Sequence, residues 1–156
     1  MAHIEKRLTI DAPIDAVYSL ARDPRRWNTW WPNLSESKLV SGDGGAGSVV
    51  EHTYRILGVP IEVTTRVLED GREGDTARWR GAIDGPFDGE QTWSYRSVGG
   101  GKATEVTAEV DYKVPGVLGK VADDLVVERL QERAIEHTLA NLKLLCEASG
   151  GASGSW

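Results

Sequence analysis

The sequence predicts an α+β domain in which a curved, seven-stranded antiparallel sheet wraps around a long C-terminal helix, with two short helices after the first strand. Three observations predict it. An alternating, β-branched stretch opens the chain; further alternating stretches follow between glycine-rich turns; and after Pro115-Gly116 the apolar period changes from that of a strand to that of a helix. With 156 residues, the chain is the size of one domain and can bury a core without disulfide or metal staples. That domain is expected over residues 1–147. A flexible tail of Gly, Ser and Ala is expected over 148–156.

In the first element, His3 to Ile10, Ile4, Lys6, Leu8 and Ile10 alternate with Glu5, Arg7 and Thr9. Pro13 then suits the first position of a helix, and Asp15 suits the positive end of its dipole. Ile14, Val17, Tyr18 and Ala21 share one helical face. Pro24 stops this helix, and Arg25 to Trp31 form a second short turn closed by Pro32. Strands are expected at Ser35–Ser41, Gly47–Leu57, Val59–Glu69, Asp75–Asp84, Gly89–Val98 and Ala103–Lys113. Glycine-bearing turns separate them, and such short joins make consecutive strands neighbours.

The last element, Val117 to Glu147, is read as one long helix carrying Leu118, Val121, Leu125, Leu130, Ile135, Leu139 and Leu142. The apolar arc of Val117–Val126 is rotated by roughly a third to half a turn from that of Leu130–Cys146. The first turns therefore press on something different from the later ones, such as a cavity mouth under a lid.

Strand alternation sorts the inward side chains. Ala77, Trp79, Gly81 and Ile83 oppose Arg78 and Arg80; Gln91, Trp93 and Tyr95 oppose Glu90, Ser94 and Arg96. Val106, Ala108, Val110 and Tyr112 form the apolar set of the last strand. Val50, His52, Tyr54 and Ile56, then Val63, Thr65 and Val67, do the same for the middle strands. Such a wall is ordinarily core. A strongly twisted sheet that curls around an amphipathic helix, however, encloses an interior between its concave face and the helix.

Charge and composition narrow the function. With 24 acidic against 18 basic residues the net charge is −6, and the pI is near 5.1, so a phosphate-neutralising surface for nucleic acid is not expected. Cys146 is the single cysteine, which excludes an intrachain disulfide and a zinc site built on several thiolates. Neither metal nor other cofactor is expected. No apolar run has the length of a signal peptide or approaches the roughly 20 residues needed to span a bilayer, so a cytoplasmic protein without stable membrane insertion is expected. Monomer and homodimer remain equally open.

Four segments carry a resemblance. They are Ile10-Asp-Ala-Pro-Ile-Asp-Ala-Val-Tyr18 with Asp23 and the Trp27–Pro32 stretch; Gly85-Pro-Phe-Asp-Gly89 leading to Trp93-Ser-Tyr95; Asp111-Tyr-Lys-Val-Pro-Gly116; and the helix ending Leu142-Lys-Leu-Leu-Cys-Glu147. In order and spacing the chain resembles the START-like superfamily, also called SRPBCC or Bet v 1-like, which has the helix-grip fold. Within it the chain is similar to the bacterial polyketide cyclase/dehydrase and ubiquinone-binding branch. The resemblance implies a cavity between sheet and helix that takes a hydrophobic small molecule: an aromatic polyketide, an isoprenoid or quinone, or a lipid. Expected lining residues are Trp31, Val63, Thr65, Trp79, Gln91, Trp93, Tyr95 and Tyr112, with Leu118, Val121 and Leu125 from the lid. Trp27 is expected to plug the open end of the sheet, whereas Trp31 is read equally as plug or as cavity rim.

Some members of that branch are enzymes, which makes an inward acid/base pair relevant. His52 is the one histidine on an inward face, and Tyr54 lies two residues on, hence on the same side. Together they are the candidate catalytic groups of an aromatase/cyclase. The plainer reading of His52 is a buried neutral imidazole with one hydrogen bond, or an outward side chain after a bulge. Three functional classes follow: a carrier, a cyclase-type enzyme, or a protein-interaction module.

Overall fold

The computed structural model describes the backbone of residues 2–155 and the side chains of residues 2–148. Nearly all of the tail expected at 148–156 thus lies outside the described side chains. The chain runs β1 (Ala2–Ile10), α1 (Ile14–Ala21), α2 (Trp27–Trp30), β2 (Lys38–Ser41), β3 (Val49–Ile56), β4 (Val59–Glu73), β5 (Thr76–Asp84), β6 (Gly89–Val98), β7 (Ala103–Tyr112) and α3 (Asp124–Ser155). Short 3-10 turns occupy Pro24–Arg26, Gly99–Gly101 and Gly116–Lys120.

All seven strands form one antiparallel sheet in the order β1-β7-β6-β5-β4-β3-β2. β2 to β7 are a meander, each strand beside its successor. β1 closes onto β7 with Ile4 opposite Val110 and Leu8 opposite Val106, so the first and last strands share one apolar face. α3 lies against that concave side. Its buried residues Ile135, Leu139, Leu142 and Cys146 recur at three- and four-residue spacing, and Val127, eight residues before Ile135, continues the same stripe.

α1 and α2 cover one end of the sheet. α1 is clamped to β4 through Asp70, whose carboxylate accepts from the Tyr18 hydroxyl at 2.5 Å and from Arg22 Nε at 3.0 Å. The Trp27 indole N–H donates to the Ala21 carbonyl at 3.0 Å, which folds α2 back on α1. Further along, α3 is held to α2 by Asn141 Nδ2 donating to the Trp30 carbonyl at 3.2 Å.

The structure corrects three expectations. First, the stretch 117–147 is not one helix. Gly116–Lys120 is a 3-10 turn, and α3 starts only at Asp124, its first turn closing when Val126 and Val127 N–H donate to the Asp123 carbonyl at 3.0 and 3.1 Å. Gly119, which disfavours helix, and the Asp123-Asp124 pair, which suits a helix start, are the local reasons. The rotated apolar arc therefore belongs to a separate segment. Second, β4 continues through Asp70-Gly71, expected as a turn, and reverses at Gly74, where φ is 62°. A bulge between Val67 and Glu69 absorbs the register change. Third, β2 begins at Lys38 rather than Ser35, although Leu34 makes an isolated bridge to Tyr54.

Candidate functional site

The inner faces of β3 to β7 and the first turns of α3 enclose a cavity of about 90 Å³. Its wall is mostly aromatic. Trp93 on β6 meets Trp30 edge-to-face at 5.5 Å and Trp31 at 5.9 Å, while Trp79 on β5 meets Trp27 at 5.5 Å. At the other end Phe87 lies 5.9 Å from Tyr54 and 5.7 Å from Tyr112. Trp79 and Trp93 are directly opposed across β5 and β6. The ring of Trp79 lies back over Gly81, where any Cβ would overlap it, so a glycine in mid-strand is what lets the indole lie flat.

The polar groups of the wall are few. Thr65 Oγ1 and Ser37 Oγ each lie 3.2 Å from a ring nitrogen of His52, one on Nε2 and the other on Nδ1. A neutral imidazole has one donor and one acceptor, which two hydroxyls can satisfy in either tautomer. Burial lowers the His52 pKa to about 4, so the ring is neutral at ordinary pH. Burial likewise raises Tyr54 to about 12, and its hydroxyl donates to Gln131 Oε1 at 2.9 Å. Trp93 Nε1 donates to Gln91 Oε1 at 3.0 Å. Three donors in residues of the wall have no partner among the described residues: Trp30 Nε1, Trp79 Nε1 and the Tyr112 hydroxyl. A buried donor left unpaired costs about 1–3 kcal/mol, so three in one cavity wall are a distinctive feature.

Among the described residues no carboxylate, lysine or arginine lines the cavity. The one cluster of metal-capable side chains found among them, His3, Glu5 and Glu109, is on the other face of β1 and β7.

The sequence matches the family described as "Polyketide cyclase / dehydrase and lipid transport" over residues 1–147. The chain belongs to that family. Solved structures agree on the fold of this family member. TTHA0849 from Thermus thermophilus is 21% identical with a TM-score of 0.77, covering 95% of this chain and 99% of that one. A START superfamily protein from Mycobacterium smegmatis is 17% identical with a TM-score of 0.74, over 94% and 97% of the two chains. The Zhui aromatase/cyclase from Streptomyces sp. R1128 is 18% identical with a TM-score of 0.70, over 94% and 93%. No match among curated protein sequences accompanies these.

In this polyketide cyclase/dehydrase-family chain the structure brings His52, Tyr54, Trp31, Val63, Thr65, Trp79, Gln91, Trp93, Tyr95 and Tyr112 around the cavity. The three lid residues are elsewhere. Leu118 is fully buried but off the cavity, and Val121 and Leu125 are 54% and 58% exposed, because the break before α3 turns them outward. Their places are taken by Gln131 and Ile135, further along α3. Sequence reasoning also missed Ala21, Trp30, Leu34, Ile83, Phe87 and Val110 as cavity residues and read Trp27 as a plug only. Gln131 had a usable signal: it is the one polar residue on the stripe Val127, Gln131, Ile135. His52 and Tyr54 share the cavity but are not bonded to each other; each is held by a different partner.

Proposed function

We propose that this chain binds and carries a flat, largely apolar small molecule of aromatic polyketide, isoprenoid-quinone or lipid type between the sheet and α3. The observation that carries the reading is the cavity itself, walled by indole and phenol rings, free of charged side chains among the described residues, and provided with a few fixed polar groups. That is the usual make-up of a small-molecule site. Its volume of about 90 Å³ is well below the roughly 300–1,000 Å³ of ligand pockets, so a polycyclic guest must swing wall side chains aside. Trp31, half-buried, and Gln131, on the helix, are the side chains best placed to move.

A catalytic reading draws on the family description and on the Streptomyces neighbour's being an aromatase/cyclase. It is weaker here. General acid/base work needs a group within hydrogen-bond reach of the substrate proton, and both His52 nitrogens and the Tyr54 hydroxyl are already engaged. The interaction-module reading has no exposed aromatic rim among the described residues to support it, since Trp27, Trp30 and Trp93 are all buried.

Native mass spectrometry of freshly purified protein tests carriage, with a co-purified small molecule as the expected result. Trp93→Ala should weaken binding of aromatic phenols measured by calorimetry. No saturable binding across a broad aromatic panel would sink the reading. Turnover of a cyclisable polyketide that falls a hundredfold or more in His52→Ala would replace it with the enzyme.

A further inference from the structure

On the outer face of the sheet, β1 and β7 together assemble a set of groups that neither strand contains alone. Strand parity puts His3 and Glu5 on the side of β1 opposite to Lys6, which reaches Glu132 of α3. The β1–β7 register sets Glu5 directly across from Glu109 and His3 across from Asp111. One ligand atom from each of His3, Glu5 and Glu109 lies within 4.8 Å of the other two. Donors held about 2.0–2.2 Å from a shared ion stand about 3.4 Å apart in a tetrahedral site, so a modest rotation of the exposed His3 and Glu5 side chains closes the set.

Two further features favour an ion here. Like charges directly opposite on antiparallel strands repel, and elsewhere on this face carboxylates meet arginine: Asp84 with Arg66 at 2.6 Å, Glu90 with Arg80 at 3.3 Å and Glu105 with Arg96 at 3.0 Å. Glu5 and Glu109 have no such partner among the described residues, and Arg7, the next outward side chain of β1, stands across from Thr107. The second feature is Asp111, whose carboxylate is 2.7 Å from His3 Nδ1. By accepting Nδ1–H it fixes the ring and leaves the lone pair of the neutral imidazole on Nε2, the carboxylate–histidine arrangement that supports metal-ligating histidines.

We propose that this face binds one divalent transition ion of zinc type, with His3, Glu5 and Glu109 as its protein ligands and Asp111 as the positioning residue behind His3. Two carboxylates and a neutral imidazole balance the charge of such an ion. The nitrogen ligand selects against Mg2+ and Ca2+, which prefer all-oxygen sites. Held from both strands, the ion staples the edge strand β1 to β7 and keeps a fourth position for water. This departs from the expectation of no metal because Glu109 stands about a hundred residues from His3 and Glu5, and only strand pairing unites them. The site lies across the sheet from the cavity and does not depend on the carrier reading.

The test titrates ZnCl2 into the full chain, free of any affinity tag, by calorimetry. The parent should take up one equivalent saturably. His3→Ala and Glu109→Gln should each weaken binding by at least about tenfold, whereas His137→Ala, an exposed histidine on α3, should not change it. Asp111→Ala should weaken binding by about ten- to a hundredfold, with partial recovery in Asp111→Asn, which can still accept from Nδ1. Zn2+ at a hundredfold excess over Kd should raise the parent's thermal midpoint by about 5–10 °C and that of Glu109→Gln by less. Without metal the Glu109→Gln midpoint should not fall, since the change removes a like-charge opposition, and this checks that the variant is folded. No saturable binding by the parent, equal affinity in Glu109→Gln or His3→Ala, or loss of binding in His137→Ala would overturn the site. MgCl2 binding as tight as that of ZnCl2 would overturn the assignment to a zinc-type ion, and parental affinity in Asp111→Ala would overturn the positioning role.

Discussion

The Tyr54 hydroxyl donates to Gln131 Oε1 at 2.9 Å, joining β3 to α3 across the cavity. It is the one described side-chain bond between a cavity-facing strand residue and the helix that roofs it, and it sets two expectations at once. Tyr54→Phe should cost about 1 kcal/mol in chemical denaturation, the usual net value of a neutral hydrogen bond. The same change frees Gln131, so ligand association measured by stopped flow should become faster. A slower association would mean that the bond shapes the site and does not gate it.

Gly81 is the second point of control. A methyl group there overlaps the Trp79 ring, which is itself wedged against Trp27 and cannot swing freely. Gly81→Ala is expected to destabilise the fold by about 1–3 kcal/mol through overpacking and to change the indole environment seen in near-ultraviolet circular dichroism. Unaltered spectrum and stability would show that Trp79 has another rotamer available.

His52 ties stability to pH. Its pKa falls from 6.5 to about 4 on burial, so between those values the unfolded chain holds the extra proton. Stability is then complete above pH 6.5 and declines as pH falls towards 4, by an amount on the order of 3 kcal/mol. His3 works in the opposite sense, because its hydrogen bond to Asp111 raises its pKa and favours the fold at low pH. Comparing the parent with His52→Gln cancels the His3 contribution, and the variant should show a flatter urea midpoint between about pH 5 and pH 7.5. Parallel curves for the two proteins would mean that His52 titrates normally.

Asp70 anchors α1 to the bulged end of β4 by accepting from both Tyr18 and Arg22. Burial pushes its carboxyl up, but the Arg22 guanidinium and the Tyr18 hydroxyl outweigh this and hold it below the ordinary range. Asp70→Ala should cost about 2–3 kcal/mol, as expected when charge-assisted bonds are lost and a tyrosine hydroxyl loses its partner. Amide exchange should accelerate in α1 more than in α3. Uniform acceleration would place Asp70 in the global core instead.

Periodicity within single strands carried most of the architecture. Alternation alone put Trp79 with Ile83, Trp93 with Tyr95 and His52 with Tyr54 on one face, because a side chain's face in a pleated strand depends only on the parity of its position. Glycine-rich joins made the meander of β2 to β7 legible, since short loops leave neighbouring strands little choice of partner. Composition excluded an intrachain disulfide by count alone, since Cys146 is the single cysteine.

Tertiary structure decided what depends on contacts far apart in the chain. That β1 closes onto β7, with about a hundred residues between them, follows from matching two apolar faces and leaves no mark in either stretch alone. The break before Asp124 turned Val121 and Leu125 to the surface and gave the roof of the cavity to Gln131 and Ile135. A helical arc read from sequence assumes an unbroken axis, and a turn of 3-10 geometry resets the phase. His52 could be placed on an inward face by parity, but its hydroxyl partners Ser37 and Thr65 come from two other segments, and the burial that lowers its pKa is set by packing around it. The unpaired donors of Trp30, Trp79 and Tyr112 likewise become visible only after packing, because a donor's lack of a partner is a property of its surroundings.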